Sequence, residues 1–230
     1  MSEKRVIVAL DGPAGSGKST VAQRIAKKLG FMYINSGAIY RAVALWAMRL
    51  GIDLKDMHRL EQLAKAAKIE LTANDGHVIL NGEDVTEAIR DPHVSVAASK
   101  VSAVPGVRRA LLAVQRSMAE RSSVVMEGRD IGSVVFPNAQ VKIFLDADPQ
   151  ERARRRALEL AEQGQAANVE TVSGELKERD DRDRRRSESP LVQAPDAQLV
   201  DTTGLSLDQV EEAVLRLVRA RISNGKEAKA

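Results

Sequence analysis

The chain of 230 residues contains no cysteine. That excludes disulfides, thiolate catalysis and Cys-based zinc sites together. Aromatic residues are scarce: one Trp, two Tyr and three Phe. Proteins that bind nucleic acid polymers carry a basic surplus, and often aromatic rings for stacking bases. Here 35 Lys and Arg stand against 32 Asp and Glu, for a net charge of +3. Nucleic acid is therefore disfavoured as a partner. No apolar run approaches the roughly 18–20 residues that span a bilayer. The opening "MSEKR" leads straight into a strand-like run, without the apolar core of a signal peptide. A soluble, cytoplasmic, monomeric protein is expected, with no membrane partner. His58, His77 and His93 are scattered along the chain and read as surface residues. They suggest neither a Ser–His pair nor a metal cluster.

What is present is a regular alternation of strands and helices. "VIVALD" (Val6–Asp11), "SVVME" (Ser123–Glu127) and "VKIFLD" (Val141–Asp146) are continuous apolar runs. Such runs read as strands buried on both faces of a parallel sheet. "AQLVDT" (Ala197–Thr202) reads as a last, short strand. Helices are expected over about Lys18–Leu29, Gly37–Leu50 (with Ser36 as N-cap), Asp56–Lys68, Pro92–Ala103, Val107–Glu120 and Ser206–Ile222. A charged helix opens at Asp148-Pro149 and stops near Gly164, and an Arg-rich helix follows it. The tail from Ser223 is expected to fray. Ile69–Arg90 has a different texture. Its turn signals Asp75-Gly76 and Asn81-Gly82 separate short β-type runs, as in a small antiparallel insert. The fold class is α/β: a parallel sheet flanked by helices, with that insert and a helical lid.

The clearest motif is "DGPAGSGKST". Gly12, Gly17, Lys18 and Ser19 satisfy G-x-x-x-x-G-K-[ST] between a strand and a helix, as the motif requires. Glycines let backbone N–H groups turn inward, and the helix N-terminus adds its dipole. Gly12, Pro13, Ala14, Gly15, Ser16, Gly17, Lys18, Ser19 and Thr20 together form a phosphate cradle. Lys18 supplies a mobile charge for the β- and γ-phosphates of ATP, and Ser19 a hydroxyl for Mg2+. The loop alone does not separate a kinase from a switch, a motor or a transporter ATPase.

Three other segments speak to where a phosphoryl group could go. "NSGAIYR" places Ser36 and Arg41 near a helix N-terminus, which suits a second anion. "EGRDIG" places Arg129 and Asp130 just past a strand, where ligands bind in open α/β sheets. "KERDDRDRRR" puts Arg179, Asp183 and Arg186 on one helical face, and Arg182, Arg185 and Arg186 in a cluster. This segment and the basic "ERARRRALEL" flank a Gly-containing connector, as a lid would. A phosphate loop, a second anion site and an Arg-rich lid together indicate phosphoryl transfer between two anionic small molecules.

These blocks, with "GEDVTEAIR", "VPGVRRALL" and "KIFLDA", occur in order over about Val6–Leu217. Together they resemble the bacterial cytidylate kinases, a nucleoside monophosphate kinase family. The resemblance implies transfer from ATP-Mg to CMP and dCMP. It implies a core (1–36, 104–148, 188–230), a monophosphate-binding region (37–103, with the insert at about 69–90) and a lid (149–187). Ser36, Arg41 and Arg129 would hold the acceptor phosphate, Ser99, Arg108 and Asp130 the cytosine, and Arg179 and Asp183 the ribose. Arg186 would reach the transferring phosphates. Lys18, Arg129, Arg179, Asp183 and Arg186 would form the catalytic set. Many relatives have Asp where this chain has Glu127, which would hold Mg2+ through water. Alternatives are a kinase for UMP, AMP or shikimate, or a nucleotide-dependent switch or RNA-associated NTPase.

Overall fold

The first strand, β1 (Ile7–Asp11), is buried almost throughout, and its apolar residues leave it no solvent face. Parallel neighbours flank it on both sides. One is β6 (Val124–Gly128), pairing Leu10 with Glu127 and Asp11 with Gly128. The other is β7 (Val141–Asp146), pairing Asp11 with Phe144. Strands β2 (Met32–Asn35) and β8 (Gln198–Asp201) complete a five-stranded parallel sheet of order β2-β6-β1-β7-β8. Chain order reverses beside β1, which opens a crevice at the carboxyl ends of the strands. The computed structural model describes residues 5–72, 76–162, 164 and 166–227.

Helices cover both faces, as a parallel sheet requires. On one side α1 (Lys18–Leu29) and the last helix, α8 (Leu207–Glu227), bury Val21, Ile25, Val210 and Val214 against Val8, Leu10 and Ile143. On the other, Ala9, Ile34 and Met126 pack with Ile131 and Val135 of a π-helical turn, Ile131–Val135. A second apolar core lies beside the sheet. It joins α2 (Ser36–Arg49), α3 (Met57–Ala66), α4 (Pro92–Val101) and α5 (Pro105–Ser117) to the insert. The insert is a three-stranded antiparallel sheet, β3 (Ile69–Leu71), β4 (Val78–Leu80) and β5 (Glu83–Asp84). Asn81 (φ 52°) and Gly82 (φ 88°) make its β4–β5 turn, the left-handed pair that a two-residue hairpin needs. Asp75, half of the other turn signal, lies outside the described residues.

The remaining helices, α6 (Pro149–Glu162) and α7 (Val169–Arg184), form the expected basic pair. Their own apolar contacts are few: Ala153, Ala157, Val172 and Leu176, packed with Ala14 of the phosphate loop. A buried ion pair reinforces that join. Arg152 meets Asp180 at 2.5 Å, both nearly inaccessible. Arg152 also donates to the carbonyls of Ala14 (3.0 Å) and Ala147 (3.1 Å), and Asp180 accepts from the Ala14 N–H at 3.4 Å. The helix pair is thus fastened to the phosphate loop itself.

Several boundaries differ from the sequence reading; helix α5, for one, takes in Pro105 and Gly106 and stops at Ser117 rather than Glu120. Helix α7 ends at Arg184, so Arg186 lies in the turn beyond it rather than on the helical face. Helix α8 is assigned to Glu227, five residues past the expected end at Ile222, and residues 228–230 lie outside the described part. Among the described residues no helix is long and apolar enough to cross a membrane.

Asp180→Ala should leave the Arg152 guanidinium buried without its counter-ion, a loss on the order of 3 kcal/mol. Because α6 and α7 have few apolar contacts besides this join, amide exchange in them is expected to quicken about a hundredfold, with β1 and β6 unaffected. Hydrogen-exchange mass spectrometry reads this, and equal loss in the sheet would show that the lid is not a separate unit.

Candidate active site

The carboxyl ends of β1 and β6, the phosphate loop, α2, α4 and the lid helices enclose a cleft of about 530 Å³. Almost every residue singled out from the sequence lines it: Ala14–Thr20, Ser36, Arg41, Ser99, Arg108, Glu127, Arg129, Asp130, Arg179, Asp183 and Arg186. Gly12 and Pro13 do not. Gly12 serves the sheet instead. At φ 148°, a Cβ there would stand 1.9 Å from the Leu145 carbonyl oxygen on β7, which no L side chain tolerates. The Pro13 carbonyl accepts hydrogen bonds from Ser16 Oγ (3.1 Å) and from the Lys18 ammonium.

On the loop side, Gly17 precedes α1 in the left-handed conformation and offers no side-chain cap. The first amides of α1 are therefore not capped by that residue, and helix N-termini of this kind suit anions. Lys18 is buried, and its Nζ also lies 3.1 Å from Ser16 Oγ. Burial pushes its pKa well below the ordinary lysine value, and the Arg129 charge lowers it further.

Across the cleft, Ser36 is not the N-cap of α2. Asn35 takes that place, its Oδ1 accepting from Ala38 N at 3.1 Å. The freed Ser36 hydroxyl donates to the Glu127 carbonyl at 2.7 Å. Gly128 makes this approach possible, since a Cβ there would lie 2.5 Å from Ser36 Oγ. One turn into α2, Arg41 faces the same cleft with a buried Nε that has no hydrogen-bond partner among the described residues. Burial lowers its pKa.

Asp130, directly after Arg129, binds the buried Arg108 of α5 at 2.5 Å. Arg108 also donates to the Ser102 carbonyl (3.1 Å) and stacks 5.2 Å from the centre of the Tyr40 ring. Burial works against its charge, but Tyr40 and Asp130 outweigh it and hold its pKa above the ordinary arginine value. Ser99 of α4 accepts a hydrogen bond from Arg182 of the lid at 3.0 Å. Arg182 therefore bridges α7 and α4, while Arg185 is exposed.

The lid contributes more charge. Asp183 pairs with Arg129 at 3.0 Å and, more loosely, with Arg186 at 3.7 Å. Burial would raise the Asp183 carboxyl, but Arg129, Arg186 and Arg179 together hold it below the ordinary range. Arg179 is pushed down to about 10, by burial first and by the Arg129 charge second. Buried nitrogens of Arg179 (Nε) and Arg186 (Nη2) have no partner among the described residues. Guanidinium groups are seldom left so without a purpose.

Glu127 is buried at the end of β6. Its carboxylate accepts from Ser19 Oγ at 2.9 Å and from Tyr33 Oη at 2.5 Å. Burial, and then the Glu127 charge, push the Tyr33 phenol upward. Among the described residues no group of three or more His, Cys, Asp or Glu could hold a metal unaided. His58, His77 and His93 are exposed, as expected.

Sequence reading missed Tyr33, Tyr40, Arg152, Asp180 and Asp11. Asp11 did carry a signal, being an acid at the end of an otherwise apolar strand. The others reach the site only through tertiary contacts, and no spacing marks them.

A family model, described as cytidylate kinase, matches residues 8–220. The chain is 59% identical over 227 residues to the cytidylate kinase of Solibacter usitatus (strain Ellin6076), covering 98% of this chain and 97% of that protein. It is 50% identical over 222 residues to the cytidylate kinase of Pelotomaculum thermopropionicum, covering 95% and 96%. Among solved structures, a gluconokinase from Sinorhizobium meliloti 1021 aligns over 97% of both chains with a TM-score of 0.50 and 18% identity, a likeness of fold alone. With a full-length family match and relatives at half identity or better, this chain belongs to the cytidylate kinase family.

Proposed function

We propose that this protein transfers a phosphoryl group from ATP-Mg to CMP, and also to dCMP, giving ADP and the diphosphate. The observation that carries the reading is one cleft lined both by the phosphate loop with Lys18 and by Ser36, Arg41 and Arg129, with Arg179 and Arg186 of the lid beside them. In this reading Ser99, Arg108 and Asp130 face the cytosine, and Arg179 and Asp183 the ribose. Residues 37–103 serve as the monophosphate-binding region and 149–187 as the lid on a core of 1–36, 104–148 and 188–230.

The acceptor is a phosphate whose second pKa is about 6, so at neutral pH its oxygen is already ionised. No general base is needed, and the exposed histidines offer none. Positioning and charge stabilisation then carry the reaction. Lys18 and the lid arginines stabilise charge on the transferring group, while the closed lid excludes water. Magnesium fits the residues present. It keeps several waters and takes few protein oxygens when phosphates share its coordination. Ser19 and Glu127 would hold it, Glu127 through water. When bound, the ion neutralises charge on the donor phosphates.

Cytosine carries an amino donor where uracil carries a carbonyl acceptor, and a carboxylate accepts only from the former. Asp130 thus distinguishes CMP from UMP, and the discrimination can be large because a wrong partner leaves buried polar groups unpaired.

Lys18→Ala is expected to lower kcat roughly 10²- to 10³-fold, the scale for removing one preorganised donor. Its melting temperature should not fall, because Lys18 is buried beside like charges; near-normal turnover would sink its role. In a coupled ADP-release assay across CMP, dCMP, UMP, AMP and shikimate, CMP and dCMP should be preferred. Asp130→Asn should reduce the CMP/UMP ratio of kcat/KM about a hundredfold, and an unchanged ratio would remove Asp130 from that role. Chelating Mg2+ with EDTA should abolish turnover but leave CMP binding, read by calorimetry, intact.

A further inference from the structure

Asp11 closes β1 and is 5% exposed. Its two carboxylate oxygens accept separate hydrogen bonds, from the N–H of Ile131 at 2.8 Å and of Gly132 at 2.7 Å. These are the first two amides after Asp130. Asp130 itself stands at the mouth of the π-helical turn (φ −146°, ψ 23°), and its carbonyl accepts from Val134 N (2.9 Å) and Val135 N (3.1 Å). The far end of that turn is held by Arg116, whose guanidinium donates to the carbonyls of Val135 (2.9 Å) and Val134 (3.0 Å). The backbone following Asp130 is therefore tied down, and only its carboxylate is left for Arg108 and a ligand.

Asp11 is also the covalent neighbour of Gly12, the first residue of the phosphate loop. One side chain thus joins the root of the donor loop to the turn that aims Asp130. The chemistry of the joint needs an acid. Both partners are N–H donors, so both oxygens must accept. An asparagine of the same shape would set its NH2 against one of those amides. Burial pushes the Asp11 carboxyl up to about 6 against the pull of the two amides, which leaves it ionised at neutral pH.

We propose that Asp11 is a positioning residue for base selection: it fixes the peptide that follows Asp130 and so sets the direction in which the Asp130 carboxylate meets the acceptor base. This rests on the reading of Asp130 given above. Asp11 acts through Asp130, not through the donor loop to which it is joined.

The test compares Asp11→Asn, Asp130→Asn and the double variant by kcat/KM for CMP and UMP and by KM for ATP. Asp11→Asn should raise KM for CMP and lower the CMP/UMP ratio about tenfold, the scale of a small misplacement of a binding group. KM for ATP should stay within about twofold, and the double variant should select no worse than Asp130→Asn alone. An unchanged ratio in Asp11→Asn overturns the proposal. So does equal loss for ATP and CMP, or multiplication of the two effects in the double variant. An unchanged ratio in Asp130→Asn, by contrast, overturns the reading of Asp130 and the proposal with it. Should Asp11→Asn fail to fold by thermal melting, Gly132→Ala replaces it. Its Cβ would stand 3.3 Å from Asp11 Oδ2 and 3.2 Å from the Lys142 side chain, displacing the same joint. A lowered ratio supports the proposal there, and an unchanged one overturns it.

Discussion

Like charges gathered in one partly buried cleft are the constraint around which this structure is arranged. Lys18, Arg41, Arg129, Arg179 and Arg186 all face it. Burial lowers the pKa of Lys18, Arg41, Arg179 and Arg186, and the Arg129 charge depresses the first three further. Asp183 and Glu127 offset part of this, and Asp130 is taken up by Arg108. In the proposed function a polyanion relieves the remainder.

The lid shows how this constraint is managed. With little apolar surface of its own, α6–α7 cannot stand as an independent core. It is secured by Arg152 and Asp180, which bind the peptide groups of Ala14 from both sides. The same loop that cradles phosphates therefore anchors the element bringing arginines to them. Arg182 on Ser99 and Asp183 on Arg129 tie the outer part of the lid to the acceptor side. Each tie ends on a residue proposed to contact a ligand, so occupancy of the cleft and position of the lid share the same side chains.

Legibility in the sequence varied with the range of the interactions. Apart from β2, which the sequence does not mark as a strand, the order of strands and helices, the Asn81-Gly82 hairpin and the phosphate loop are readable, because each rests on local periodicity or on left-handed backbone that glycine and asparagine favour. The N-cap of α2 was misplaced by one residue, since Ser36 and Asn35 are equally good caps by type. Only the nearby Glu127 carbonyl decides which one is free. Arg186 was placed on the helix because its spacing allows it. The chain instead leaves the helix at Arg184, where Asp183 O accepts from Leu191 N.

By itself the sequence determined that a phosphate is held by a strand–loop–helix unit, because that site is made of consecutive backbone amides and needs nothing from elsewhere in the chain. It also determined the family, through blocks whose order spans nearly the whole chain. The tertiary structure alone decided what each acid is for. Asp11, Glu127, Asp130, Asp180 and Asp183 look alike as letters. Their roles differ because each meets different donors: two backbone amides, two hydroxyls, a stacked guanidinium, a lid arginine with a loop peptide, and a cation cluster. Apart from Arg179 and Arg186, which neighbour Asp183 in the chain, those donors come from segments 22 to 166 residues away, brought together only when β1, β6 and the lid converge on one cleft.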